Sequence, residues 1–134
     1  MAGCSGTPLY RKLGLKPGMV AVRLHAPLEY DDLLGPDAPE VNWQDQICEG
    51  FEFCHLFTSK RAELDQVLQQ GLQHMARDGV IWVSWPKKAS KRPTEVTEDV
   101  VRDVALPLGL VDIKVCAVDA IWSGLKLVIR KELR

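Results

Sequence analysis

At 134 residues, with 46% hydrophobic and 26% charged residues, the chain has the make-up of one ordinary globular domain, which excludes a disordered segment, a collagen-like repeat or a coiled-coil rod. Its 17 Lys and Arg against 18 Asp and Glu give a formal net charge of −1, so no global field draws it onto nucleic acid or membrane, and any electrostatic function must be local. No apolar run reaches the roughly 18 residues that span a bilayer, and Met1 to Thr7 lacks the basic start and apolar stretch of a secretory signal. The expectation is a cytoplasmic protein of one domain over residues 1–134, without a second domain or internal repeat.

Residues 1–18 read as an amino-terminal arm or short helix, in which Leu9 to Leu15 precede the Lys16-Pro17-Gly18 turn. Met19 to Leu24 is an almost continuous valine-rich run, as a strand buried on both faces of a parallel sheet requires. Pro27 is placed to open a helix through Leu28 to Leu34, stopped by Gly35-Pro36. From Asp37 to Gln46 the pattern is weak, and a short edge strand anchored by Val41 and Trp43 competes evenly with a loop.

Phe51 to Phe57 is an aromatic strand, after which Ser59 is expected to cap a helix from Lys60 to Met75. In that helix Leu64, Val67, Leu68, Leu72 and Met75 recur at spacings of three and four. Val80 to Trp85 is a further central strand, ended by Pro86. Beyond the linker from Lys87 to Pro93, Thr94 or Thr97 caps a helix with Val100, Val101, Val104, Ala105 and Leu108 on its inner face. Val111, Ile113, Val115 and Ala117 then alternate with polar partners, as do Leu125, Leu127 and Ile129, which predicts an antiparallel hairpin with these residues turned inward. The order of elements predicts a three-layer α/β fold with a mostly parallel sheet.

The front strand with its Pro-Gly turn, Asp78-Gly79 before a tryptophan-bearing strand, and the terminal Leu127-Val128-Ile129-Arg130-Lys131 together resemble a shortened methyltransferase-type Rossmann core. More narrowly, four blocks in order resemble a small bacterial family of unknown function, domain of unknown function 3052. They are Ser5 to Leu9, Val83 to Ser90, Thr97 to Arg102 and Trp122 to Lys126. The architecture implies S-adenosylmethionine as a cofactor, held by a glycine-rich loop after the first strand. Here that stretch is Arg23-Leu24-His25-Ala26-Pro27, which carries no glycine, and Pro27 also removes an amide donor, so no cofactor is predicted.

In open α/β sheets ligands sit beyond the carboxyl ends of the parallel strands, which directs attention to three segments. His25 follows the first strand, Ser59 the aromatic strand, and Trp85, Lys87, Lys88, Ser90, Lys91 and Arg92 the third. Four cations within six positions suit an anionic ligand, with Trp85 as a stacking surface and Ser90 as a donor, although a solvated loop, the commoner use of such a charge run, needs no ligand. His25 has the side chain for proton transfer near neutrality, but the sequence names no partner for it; His55, mid-strand, and His74, on a helix, carry less weight. Trp82 and Trp85, three positions apart, face opposite sides of a strand, so they cannot share one pocket with Trp122.

Ser84, Ser90 and Ser123 lack a nucleophile elbow, so neither hydrolase chemistry nor any catalytic residue is assigned. Cys4, Cys48, Cys54 and Cys116 are unpaired in pattern and read as reduced thiols; Cys54 and His55 point to opposite faces and predict no metal site. The leading expectation is therefore a non-catalytic domain that binds an anionic small molecule or a protein. An atypical S-adenosylmethionine-dependent methyltransferase using His25 or Ser59 is the alternative, and nucleic-acid binding through residues 87–92 ranks last because the total charge is near zero.

Overall fold

The computed structural model describes residues 6–134, so residues 1–5 of the amino-terminal arm, Cys4 among them, lie outside the described residues. The described residues form a six-stranded sheet in the order β2-β1-β3-β4-β6-β5. Its strands are β1 (Val20–Leu24), β2 (Asn42–Gln44), β3 (Phe53–Phe57), β4 (Val80–Pro86), β5 (Leu110–Ala117) and β6 (Trp122–Ile129). β1 pairs in parallel with β2 and β3, and β3 with β4. β6 runs antiparallel to both β4 and β5, so β5 shares the direction of the other strands. The predicted hairpin is present, with its second strand inserted into the sheet ahead of its first.

Helices cover both faces, as the unbroken apolar runs of β1, β3 and β4 require. On one face α3 (Arg61–His74) and α4 (Glu98–Leu108) bury Leu64, Leu68, Val101, Val104 and Ala105 against Val22, Leu56, Ile81, Val83 and Leu125. On the other, α1 (Leu9–Leu13) and α2 (Tyr30–Leu34) pack Leu9, Leu13, Tyr30 and Leu34 over Ala21, Phe53, Phe57 and Trp82. The Trp82 indole donates to the Leu13 carbonyl at 2.9 Å, fixing α1 on the sheet. Thr97 caps α4 by accepting from Val100 N–H at 3.2 Å, while Glu98 and Asp99 sit in the first turn where the helix dipole favours them.

Several expectations need correction. The helix after Pro27 begins at Tyr30; Leu28 is fully exposed and the Tyr30 N–H closes a turn onto the Pro27 carbonyl. Ser59 does not cap α3: Thr58 Oγ1 accepts from Lys60 N–H at 3.1 Å, and Glu95 Oε1, distant in sequence, accepts from Arg61 N–H at 3.0 Å. Ile113 and Val115 are 55% and 51% exposed because a bulge between Asp112 and Lys114 resets the alternation, leaving Leu110 and Cys116 as the buried residues of β5. The weak stretch from Asp37 to Gln46 does contain an edge strand, β2, with Trp43 packed against the core. Residues 87–93 hold a short 3₁₀ turn at Lys88–Ser90.

Candidate functional site

The chain leaves β1 for β2 on one side and for β3 on the other, so the topological switch point lies between the carboxyl ends of β1 and β3. His25-Ala26-Pro27 and Thr58-Ser59-Lys60 border that crevice, and the basic loop after β4 continues the same rim. The structure thus brings the three predicted segments to one edge of the sheet.

At the crevice His25 takes a left-handed backbone conformation, φ 58°, the geometry that a glycine would adopt without strain. Its imidazole Nε2 lies 3.0 Å from Glu63 Oε2 in the first turn of α3, so the two side chains form a clasp across the gap between β1 and β3. The His25 side chain is 62% exposed, which leaves the clasp on the surface. Beside it, Arg23 binds Asp31 at 2.7 Å and stacks its guanidinium over Trp43, 4.7 Å from the ring centroid, and over Tyr30. Arg23, Ala26, Pro27, Leu28, Tyr30 and Asp31 surround a shallow hollow of about 220 Å³.

Beneath this surface lies a feature that sequence reasoning missed. His55, fully buried, has Nδ1 2.9 Å from the Tyr30 hydroxyl and Nε2 2.7 Å from Ser84 Oγ. A neutral imidazole donates through one nitrogen and accepts at the other, so one hydroxyl gives its proton to the ring and the other receives one. His55 also stacks on Phe57 at 4.2 Å, and Tyr30 meets Trp43 and Phe57 edge-on. Burial pushes the His55 pKa down to about 3 and the Tyr30 hydroxyl pKa well above its ordinary value, the latter against the opposing pull of Arg23. The network is a satisfied polar core: His55 and Ser84 are fully buried, and Tyr30 borders the shallow hollow from below. Strand alternation put His55 on the α2 face, but Tyr30 and Ser84 stand 25 and 29 residues away, beyond any local signal.

In the basic loop Ser90 is engaged locally, donating to the Lys87 carbonyl at 2.6 Å and accepting from Arg92 N–H at 3.2 Å. Lys91 adopts φ 61° as the end of the 3₁₀ turn, and Lys88, Lys91 and Arg92 are exposed. Trp85 is buried on the α3–α4 face with Val83 and Val96, so its ring offers no open surface for stacking. Trp122 lies on the opposite face against Phe57, ring centroids 5.1 Å apart. Ser59 is half-buried, its carbonyl accepting from Glu95 N–H. His74 lies 3.5 Å from Glu49, away from the rim.

The switch point departs from the glycine-rich cradle in which this architecture usually seats an adenosyl cofactor. The turn lacks a glycine, Pro27 supplies no amide, and the His25–Glu63 pair bridges from the end of β1 to α3. Among the described residues no group of three or more His, Cys, Asp or Glu is arranged to hold a metal ion, and no helix is long and apolar enough to cross a membrane.

Solved structures share this arrangement. The chain aligns over 89% of its length with 86% of a SAM dependent methyltransferase from Aquifex aeolicus, TM-score 0.63 and 16% identity. It aligns over 90% with 74% of a ribosomal protein L11 methylase from Lactobacillus delbrueckii subsp. bulgaricus, TM-score 0.60 and 10% identity. LepI in complex with SAM matches at TM-score 0.55 and 14% identity; there 91% of this chain spans only 39% of the larger protein. At such identities the likeness establishes a methyltransferase-like Rossmann fold and nothing of activity. No curated protein matches the chain. A family model described as Protein of unknown function (DUF3052) matches residues 55–131, more than half of the chain, and the protein belongs to that family.

Proposed function

We propose that this chain is a single, non-catalytic binding domain on a methyltransferase-like frame, using its strand-end rim to hold an anionic ligand or a protein partner. The observation that carries this reading is the His25–Glu63 clasp at 3.0 Å over a turn without glycine, at the place where the fold would seat a nucleoside. The rim then offers two things. One is the polar lip of His25 and Ser59; the other is the positive edge of Lys87, Lys88, Lys91 and Arg92, which attracts negative charge at short range although the whole molecule is near neutral. Trp85 serves this edge from behind, anchoring the end of β4 in the core rather than stacking on a ligand.

A thermal-shift screen of anionic metabolites tests the reading. A stabilising ligand should lose its effect in the double variant Lys87→Glu, Lys88→Glu, whose own thermal midpoint stays near that of the parent because Lys88 is exposed and Lys87 only half-buried. Stabilisation that persists in the variant would remove the loop from the site.

The strand order and the solved structures titled as methyltransferases favour a second reading, a S-adenosylmethionine-dependent enzyme. Because the clasp joins two surface side chains, an enzyme could part it to admit a nucleoside, freeing His25 beside the reacting centre. Stabilisation by S-adenosylhomocysteine that grows when Glu63→Gln weakens the clasp would favour this reading over the first.

A further inference from the structure

On the face covered by α1, beside the edge strand β5, a second group of cations converges. Arg11 and Lys12 lie in the last turn of α1, and Lys114 reaches them from β5, its ammonium donating to the Lys12 carbonyl at 3.2 Å. With Thr7, Val115, Cys116 and Ala117 they line an open hollow of about 520 Å³. Lys126 is the cross-strand partner of Lys114, and Lys16 lies near enough to Lys126 for its charge to be felt there. Burial lowers the Lys126 pKa, and the ammonium groups of Lys114 and Lys16 lower it further. Among the described residues no carboxylate lies within 4.0 Å of Arg11, Lys12, Lys16, Lys114 or Lys126; the carboxylate ion pairs go to Arg23, His25, His74, Arg102 and Arg130 instead.

Part of this charge has a structural explanation. Cations at the end of a helix meet its orphan carbonyls, which accounts for Lys114 on Lys12 and for the basic last turn of α1. It does not account for Lys16 and Lys126, which add positive charge where like charges already repel. On its far side, Lys12 also borders a separate hollow with Asp32 and Asp119, but the Asp119 carboxylate is occupied by the N–H groups of Ile121 and Trp122 at 2.8 and 2.7 Å.

We propose that the hollow between α1 and β5 binds a small molecule bearing phosphate groups, with Arg11, Lys12 and Lys114 holding the phosphates and Val115, Cys116 and Ala117 receiving the less polar part. Its volume is in the range of small-molecule sites, and guanidinium and ammonium donors are the groups that recognise phosphate oxygens. This site is distinct from the rim and does not depend on what the rim binds.

Calorimetric titration with pyrophosphate at low salt tests it, on the parent, on the double variant Arg11→Ser, Lys12→Ser, and on Lys87→Glu, Lys88→Glu. The expected result is a saturable binding component that the Arg11–Lys12 variant weakens by about tenfold or more and that persists in the rim variant, whatever second component the rim itself contributes. A parallel titration with a single-stranded oligonucleotide should show no competition with pyrophosphate. Absence of saturable binding at millimolar pyrophosphate, loss in the rim variant alone, or oligonucleotide binding without pyrophosphate binding would each overturn the proposal; circular dichroism of the variants guards against a folding defect.

Discussion

Acidification should destabilise this protein through His55, by an amount that its surroundings set. In the folded chain burial holds the imidazole pKa near 3, against 6.5 for an ordinary histidine. Above the unfolded value both states carry a neutral ring and His55 makes stability independent of pH. As the pH falls below that value the unfolded chain binds a proton that the native chain refuses, so stability is lost continuously until the pH reaches the folded pKa. Each pH unit in this window is worth about 1.4 kcal/mol, so at about pH 4.5 the loss from this one residue is roughly 2 to 3 kcal/mol. The assay is urea unfolding followed by tryptophan fluorescence at about pH 8 and about pH 4.5, on the parent and on His55→Gln, where an amide replaces the ring without titrating. His25, His74 and the carboxylates are common to both proteins, so the difference between their pH responses isolates His55. The parent should lose more stability than the variant by about that amount; equal losses would refute the buried, neutral imidazole and with it the Tyr30–His55–Ser84 network.

Other substitutions probe the same frame. A Cβ at Gly124 would stand 3.1 Å from Ser84 Oγ and 3.2 Å from Trp82 Cε3, so Gly124→Ala should cost about 1 to 3 kcal/mol in chemical denaturation, and a neutral effect would mean that the β4–β6 packing is looser than described. Thr97→Ala removes the cap of α4 and should lower stability by about 1 kcal/mol, whereas Ser59→Ala, a residue without a capping bond, should change it by less than about half of that. Burial pushes the Cys54 thiol up to about 12, so alkylation of the native protein followed by peptide mapping should leave Cys54 unmodified while half-exposed Cys48 reacts; early labelling of Cys54 would contradict its place in the core.

Much of the frame was legible in the sequence because the dominant signals are local. β1 and β4 are continuous apolar runs, α3 repeats its apolar positions at helical spacing, and these alone dictate a two-face core with parallel strands between helices. The errors arose where a partner distant in sequence decides the local outcome. Glu95 supplies the first turn of α3 with the acceptor that Ser59 was expected to provide. One extra residue in β5 exchanges the faces of its side chains, and no composition signal marks a bulge.

The rim followed the same division. That His25, Ser59 and the loop from Lys87 would share an edge followed from topology, whereas the Glu63 partner of His25 required α3 to be docked. The place of His55 is not legible in the sequence, because a histidine inside an apolar strand gives no hint that two hydroxyls will satisfy both its nitrogens. Trp85 points the other way, since its neighbours in sequence suggested a ligand and its face of the strand placed it in the core.

The proposed binding role rests on the His25–Glu63 pair across the crevice between β1 and β3. Calorimetric titration of the intact protein with S-adenosylmethionine and with S-adenosylhomocysteine, each taken to millimolar concentration, should give only the heat of dilution and leave the unfolding midpoint where it was. A saturating isotherm for either nucleoside, with chemical-shift changes at Ala26 and Glu63, would mean that the clasp opens and that the protein keeps the cofactor site of its fold.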